Sequence, residues 1–202
     1  MSARIAKHRG AGRVFGIDLV PERLALAERH GIETVNIEEV DDIGDALRER
    51  TDGRGPDAVI DAVGMEAHGA PLGELAQKMS GFLPDFIARP VIANAAVDRM
   101  SVLHAAIDSV RRGGTISLSG VYGGQLDPMP MMDLFDKQIQ LRMGQANVRN
   151  WIDDLMPLVC DEADPLGVED LATHKVPLDD APHAYEVFQK KQDGAIKILL
   201  QP

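Results

Sequence analysis

The segment Val14-Phe-Gly-Ile-Asp18, followed by Pro21-Glu-Arg-Leu-Ala-Leu-Ala-Glu28, decides the fold. Its first part is a short apolar run of β-type residues that ends in an acid, so it predicts a strand. Pro21 is favoured at the first position of a helix, and the pattern after it predicts a helix over residues 22–30. Gly31 predicts the end of that helix, because glycine is favoured just past a last helical turn. The segment is therefore expected to form a strand followed by a helix.

The rest of the chain continues this alternation. The near-continuous apolar run Ala58-Val-Ile-Asp-Ala-Val63 is typical of a parallel strand that is covered on both faces. Further strands are predicted over residues 34–37, 115–119, 139–143, 172–176 and 196–200, and further helices over 42–50, 101–111, 131–137, 151–159 and 182–190. Alternating elements of these lengths predict an α/β fold with a doubly wound, Rossmann-like parallel sheet.

Asp18 is the residue whose position bears most directly on function. In dinucleotide-binding folds, an acid at the end of the second strand accepts hydrogen bonds from ribose hydroxyls, about 20 residues after a glycine-rich turn. Counting back that far from Asp18 leads to Met1, and Gly10 and Gly12 do not replace the turn because they precede a strand. The sequence therefore predicts an incomplete sheet that lacks the first strand and its pyrophosphate-binding turn.

Composition narrows the class of partners. The chain has 202 residues, of which 45% are hydrophobic and 26% are charged, and its formal net charge is −11. This charge repels nucleic-acid backbones and anionic lipids, and no apolar run reaches the roughly 18 residues of a spanning helix. The single cysteine, Cys160, cannot form an internal disulfide or a cysteine-rich metal site, and we expect it to be partly buried. We expect a soluble cytoplasmic protein that binds neither nucleic acid nor membranes.

Five segments, taken in order, resemble zinc-type medium-chain alcohol dehydrogenases. The first is Gly10-Ala-Gly-Arg-Val-Phe-Gly-Ile-Asp18 with the helix that follows it. The others are Gly53-Arg-Gly-Pro-Asp-Ala-Val-Ile-Asp-Ala-Val-Gly64, Gly113-Gly-Thr-Ile-Ser-Leu-Ser-Gly-Val-Tyr122, Leu178-Asp-Asp-Ala-Pro-His-Ala-Tyr-Glu-Val-Phe188 and Gly194-Ala-Ile-Lys-Ile-Leu-Leu200. The stretch after Gly64 resembles the formaldehyde-dehydrogenase-like branch. The resemblance covers nearly all of this chain but only the last half to three-fifths of a family member.

The resemblance implies NAD as the cofactor and assigns a role to individual residues. Asp18 matches the ribose-binding acid and Arg23 a basic residue beside it, although a strand-end cap and a solvated helix face are the structural alternatives. The remaining matches are Val63, Gly64, Gly120 and Val121 at strand ends that carry the nicotinamide half, Met143 at the carboxamide, and Lys197 near the pyrophosphate. Residues 1–147 then form a partial NAD-binding domain, and residues 148–202 form a segment that returns to the catalytic domain.

The resemblance also implies what the chain lacks. The catalytic and structural zinc sites of the family lie in its N-terminal half, so no catalytic or metal-binding residue is assigned here. We expect the C-terminal, cofactor-binding portion of an NAD-dependent alcohol or formaldehyde dehydrogenase, inactive by itself, which binds NAD weakly and forms homo-oligomers through sheet edges such as residues 139–143. The alternative is a non-catalytic nucleotide-binding or subunit-interaction module. A methyltransferase-like fold is a third class, and it does not explain the segments around Gly120 and Lys197.

Other polar residues are expected to be structural. Asp61 lies within an apolar strand, so a buried, hydrogen-bonded role is favoured over a role in a site. The six histidines are scattered, and none has a cysteine or acid at metal-ligand spacing. No arrangement typical of a hydrolase triad can be assembled from the sequence.

Overall fold

The computed structural model describes residues 1–63, 100–122 and 129–202. The strands in these ranges are β1 (Phe15–Asp18), β2 (Glu33–Asn36), β3 (Ala58–Asp61), β4 (Thr115–Leu118), β5 (Gln140–Met143), β6 (His174–Pro177) and β7 (Ile198–Gln201). The helices are α1 (Ser2–His8), α2 (Pro21–Arg29), α3 (Ile43–Glu49), α4 (Ser101–Ser109), α5 (Met131–Asp136), α6 (Val148–Val159) and α7 (Ala181–Gln189). Short 3-10 turns at Ile37–Glu39, Glu169–Leu171 and Leu178–Asp180 complete the described elements.

The chain divides into two compact units. The first unit comprises Met1–Asp41 and Asn147–Pro202, and it contains two parallel strand pairs, β1 with β2 and β6 with β7. Helix α2 connects β1 to β2 as a parallel crossover, and it buries Leu24 and Leu26. Helix α6 buries none of its residues, and Trp151 and Met156 are about half exposed.

The second unit, Asp42–Ala146, is built around a three-stranded parallel sheet in the order β3-β4-β5. The register places Asp61 opposite Leu118, and Leu118 opposite Met143, so the strands end together. Its core consists of the fully or nearly fully buried side chains of Met100, Leu103, Ala106, Ile107, Val110, Ile116, Leu118 and Leu134. Parallel strands joined through helices confirm the α/β class that the alternating pattern predicts.

Most elements follow the sequence prediction to within a few residues, but helix α1 was not expected. Its sequence is short and carries basic residues rather than an apolar repeat. The helix instead contains Arg4, a buried residue that bonds to the distant segment 166–170. Tertiary contacts therefore stabilise a helix that the local sequence pattern does not predict.

Candidate functional site

Asp18 ends β1, and its two carboxyl oxygens have different surroundings. Oδ1 accepts hydrogen bonds from the backbone N–H groups of Leu19 at 2.8 Å and Val20 at 3.0 Å. Oδ2 lies 3.7 Å from Nη1 of Arg23, and both side chains are about one-third exposed. One oxygen thus shapes the turn from β1 into α2, while the other lies near a cation, on a side chain that is about one-third exposed. The structural and the binding interpretations of Asp18 are compatible.

The start of α2 explains why Asp18 and Arg23 are neighbours. Val20 is the extended residue before the helix, and Pro21 begins it. Because Pro lacks an N–H that would need a partner, it suits the first helical turn. The bonds from Asp18 to the two residues before Pro21 hold the turn, so Arg23 follows on the first turn, within reach of the carboxyl group.

In the second unit, the carboxyl ends of β3, β4 and β5 form one edge. Val63 follows β3 and is 43% exposed, Val121 follows β4 and is 78% exposed, and Met143 ends β5 and is 65% exposed. Apolar side chains are thus exposed where open parallel sheets bind ligands, beyond the carboxyl ends of their strands. Gly120, at the same edge, is half-buried, and Gly64 lies outside the described residues.

Asp61 lies beneath this edge and is 2% exposed. Its carboxyl group accepts hydrogen bonds from the Tyr122 hydroxyl at 2.5 Å and from the Val63 N–H at 2.9 Å. Burial, and then the hydrogen bond and charge of Asp61, raise the pKa of Tyr122 well above its ordinary value. The structure supports the expectation of a buried, hydrogen-bonded acid, but its partner Tyr122 was not foreseen.

The sequence pattern placed Lys197 within a strand over residues 196–200. In the structure Lys197 directly precedes β7, and its side chain is exposed. Its backbone is held by Thr173, whose hydroxyl accepts from the N–H of Lys197 at 3.4 Å and donates to its carbonyl at 3.2 Å. Burial, and then the charges of Arg4 and Lys197, lower the pKa of the Met1 amino group. Lys197 therefore adds positive charge near the beginning of α1.

A cluster of Arg4, His30 and Asp170 was missed by the sequence analysis. Asp170 bonds to Nη1 of Arg4 at 2.7 Å and to Nε2 of His30 at 2.6 Å. Arg4 also donates to the carbonyls of Leu166 and Gly167. Gly167 has a φ of +62°, which favours glycine, and a Cβ there would displace the ends of the His30 and Arg4 side chains from the cluster. More than 100 residues separate Asp170 from both partners, and no local pattern could indicate the cluster.

The described residues offer little for metal chemistry. In ranges 1–63, 100–122 and 129–202, no group of three or more His, Cys, Asp or Glu side chains is placed to hold a metal ion. Cys160 is exposed, so the expectation that it would be partly buried is wrong. Because it follows the last residue of α6, a helix without buried positions, the neighbouring chain does not cover it.

Comparison with known proteins shows which proteins this chain resembles. A family model described as zinc-binding dehydrogenase matches residues 1–72. An uncharacterized zinc-type alcohol dehydrogenase-like protein of Bacillus subtilis is 37% identical over 196 residues, which are 96% of this chain and 47% of that protein. The chain is related to the zinc-type alcohol dehydrogenases. It matches their C-terminal part, and the resemblance drawn from its motifs is confirmed.

Two further comparisons point to the same group of dehydrogenases. Formaldehyde dismutase of Pseudomonas putida is 29% identical over 206 residues, and the match includes 96% of this chain and 46% of that protein. The solved alcohol dehydrogenase TADH of Thermus sp. ATN1 has a TM-score of 0.75 and 29% identity, with coverage of 100% of this chain and 47% of that one. The chain thus spans about half the length of the curated relatives it matches. No helix among the described residues is long and apolar enough to cross a membrane.

Proposed function

We propose that this chain is the NAD-binding portion of an alcohol or formaldehyde dehydrogenase. The observation that carries the proposal is Asp18 at the carboxyl end of a parallel strand, with a side chain that is about one-third exposed. A carboxylate there can accept hydrogen bonds from both hydroxyls of the adenine ribose, and the 2′-phosphate of NADP would meet it as a like charge. The relationship to zinc-type alcohol dehydrogenases supports the reaction class.

The other proposed contacts divide by their chemistry. Arg23 lies beside Asp18, and exposed Lys197 offers a positive charge to the pyrophosphate, although as a point charge rather than a bidentate fork. The exposed apolar side chains of Val63 and Val121 suit a flat ring, and the backbone at Met143 could meet its carboxamide. NAD, when bound, supplies a nicotinamide ring that accepts a hydride. The residues of this chain bind and orient that ring.

Calorimetry with NAD and NADP tests the proposal. We expect NAD to bind with a dissociation constant in the high micromolar range, because Gly10 and Gly12 lie between α1 and β1 rather than in a turn from a strand into a helix, which would receive the pyrophosphate. NAD should bind at least about tenfold more tightly than NADP. Equal affinity for both cofactors, or binding of S-adenosylmethionine in place of NAD, would contradict the proposal.

We also propose that the chain alone does not oxidise alcohols. Its one cysteine cannot supply a cysteine-rich zinc site, and the described residues contain no group of ligands that fits zinc. The test is zinc analysis after desalting, together with NADH production from ethanol and formaldehyde. Stoichiometric zinc with alcohol-dependent NADH would refute inactivity. If the chain binds NAD but supports no turnover even when the N-terminal half of a zinc-type alcohol dehydrogenase is added, a non-catalytic module is favoured.

Association through the edge of β5 is a further part of the proposal. Within the described residues β5 pairs only with β4, and the Gln140 N–H donates toward that neighbour, to Gly114. Because N–H groups alternate along a strand, those of Leu141 and Met143 point to the other edge, which can pair with a second copy. Light scattering should give at least a dimer at micromolar concentration, and Met143→Pro should lower the mass while Met143→Ala does not. A monomeric parent chain would refute this part.

The domain boundaries and the location of the protein also remain proposals. We propose that residues 1–147 form the partial NAD-binding domain and that residues 148–202 belong to the part that returns to the catalytic domain. Limited proteolysis that cuts first near residue 147 would support this boundary. A cytoplasmic location is proposed from the single cysteine and the proposed NAD chemistry, and imaging of a tagged chain in cells would test it.

A further inference from the structure

The loops after β3 and β4 are tied together through one residue. The backbone carbonyl of Asp61 accepts from the N–H groups of Ser119 at 2.8 Å and Gly120 at 3.0 Å. Its carboxyl group accepts from Tyr122 and Val63. Asp61 therefore bonds to the segments that leave both strands, at the edge where Val63 and Val121 are exposed.

Val121 occupies a particular place in this arrangement. Its preceding residue, Gly120, bonds through its N–H to the Asp61 carbonyl, and its following residue, Tyr122, bonds through its hydroxyl to the Asp61 carboxyl group. Val121 itself is 78% exposed. An exposed apolar side chain is thus held between two anchors on a residue that is itself buried.

A purely structural explanation accounts for only part of these bonds. A buried carboxyl group needs hydrogen bonds wherever it lies, and donors from any direction would satisfy it. Here the donors come from the residues that flank or carry the exposed valines, and Tyr122 is packed against the core of the unit. The segments that carry Val63 and Val121 are therefore both hydrogen-bonded to one buried residue, an arrangement that suits a preorganised binding surface.

We propose that Asp61 and Tyr122 are positioning residues, which hold Val63 and Val121 at the spacing that receives the nicotinamide ring. This inference rests on the proposed NAD-binding function and names the residues that set its specificity for the nicotinamide end. Neither residue touches the cofactor in this proposal. Removal of the Tyr122 hydroxyl should weaken binding of the ring without weakening binding of the rest of the dinucleotide.

The experiment compares NAD with ADP-ribose, which lacks the nicotinamide ring, by calorimetry on the full chain. In the parent we expect NAD to bind more tightly than ADP-ribose. In Tyr122→Phe the ratio of the two affinities should fall by about fivefold, because one hydrogen bond of ordinary strength is lost, while the affinity for ADP-ribose stays constant. The matched control is Tyr185→Phe, which removes a hydroxyl from an exposed tyrosine on α7.

Asp61→Asn provides a second variant should Tyr122→Phe fail to fold. Its amide oxygen can still accept from the Val63 N–H, but its NH2 group cannot accept from the Tyr122 hydroxyl. We expect a smaller fall in the same ratio, with melting temperatures recorded for each variant. A ratio equal to that of the parent in the folded variants overturns the positioning role and leaves the proposed function standing. A parent chain that binds neither ligand overturns both.

Discussion

Neutralising Asp18 without disturbing its turn separates its structural role from its proposed binding role. Asp18→Asn keeps an amide oxygen that can accept from the N–H groups of Leu19 and Val20, but it removes the negative charge. Asp18→Ala removes the acceptor as well. We expect both substitutions to weaken the preference for NAD over NADP, and only the alanine variant to lose stability.

The magnitudes follow from the geometry. Two unit charges about 4 Å apart repel by about 4 kcal/mol at an effective dielectric constant near 20. The Asp18 side chain is 32% exposed and Arg23 lies 3.7 Å from Oδ2, so solvent and the guanidinium offset much of that repulsion. We expect about 1.4 kcal/mol of net repulsion to remain, which equals a tenfold change in the ratio of the two affinities. Loss of the turn bonds in Asp18→Ala should cost about 1 kcal/mol of unfolding free energy, by analogy with lost helix caps.

The assay is a titration of the parent and both variants with NAD and NADP at fixed ionic strength, combined with thermal melting. In a chain of this size, about 1 kcal/mol corresponds to a fall of about 2–4 °C in melting temperature. Asp18→Asn should therefore melt with the parent and show a ratio near one. An unchanged preference in Asp18→Asn would remove the carboxylate from cofactor discrimination, and equal stability of both variants would show that the turn does not depend on its bonds.

Other predictions concern stability and its pH dependence. Leu103 is fully buried, so Leu103→Ala should lower the urea-derived free energy of unfolding by about 2–5 kcal/mol; a loss below 1 kcal/mol would contradict its place in the core. Burial and a hydrogen bond raise the pKa of Tyr122, so the stability of the parent should fall as pH rises above about 10, where the unfolded tyrosine ionises. Tyr122→Phe should lose less stability over this pH range, and an equal loss in both chains would refute the prediction. Burial opposes ionisation of Asp170, but hydrogen bonds from His30 and Arg4 lower its pKa, so its contribution to stability is present above about pH 4 and is lost as pH falls further. In denaturant unfolding, Asp170→Asn should lose less stability than the parent as pH falls below about 4, and an equal loss would count against the cluster.

Local pattern was sufficient for elements whose signals are local. The apolar run before Asp18, Pro21 at the start of a helix and Gly31 after it predicted β1 and α2 closely. The prediction failed for α1, because the stabilising contacts of that helix come from Asp170 at the other end of the chain. The role of the acid at the end of β1 could be proposed from its position, but the different partners of its two carboxyl oxygens could not be predicted from the sequence.

Apart from helix α1, the sequence by itself determined the order and type of the main helices and strands, as well as the acid at the end of β1 and the resemblance to the family. These features depend on spacing, on helix and strand breakers and on short motifs, all of which lie within a few residues of one another. The tertiary structure alone decided which strand ends meet, so that Asp61, Leu118 and Met143 share one edge, and which distant side chains pair, as Asp61 does with Tyr122. The physical reason is that a parallel register is set by packing between segments far apart in the chain, and a shift by one residue would turn each side chain to the opposite face.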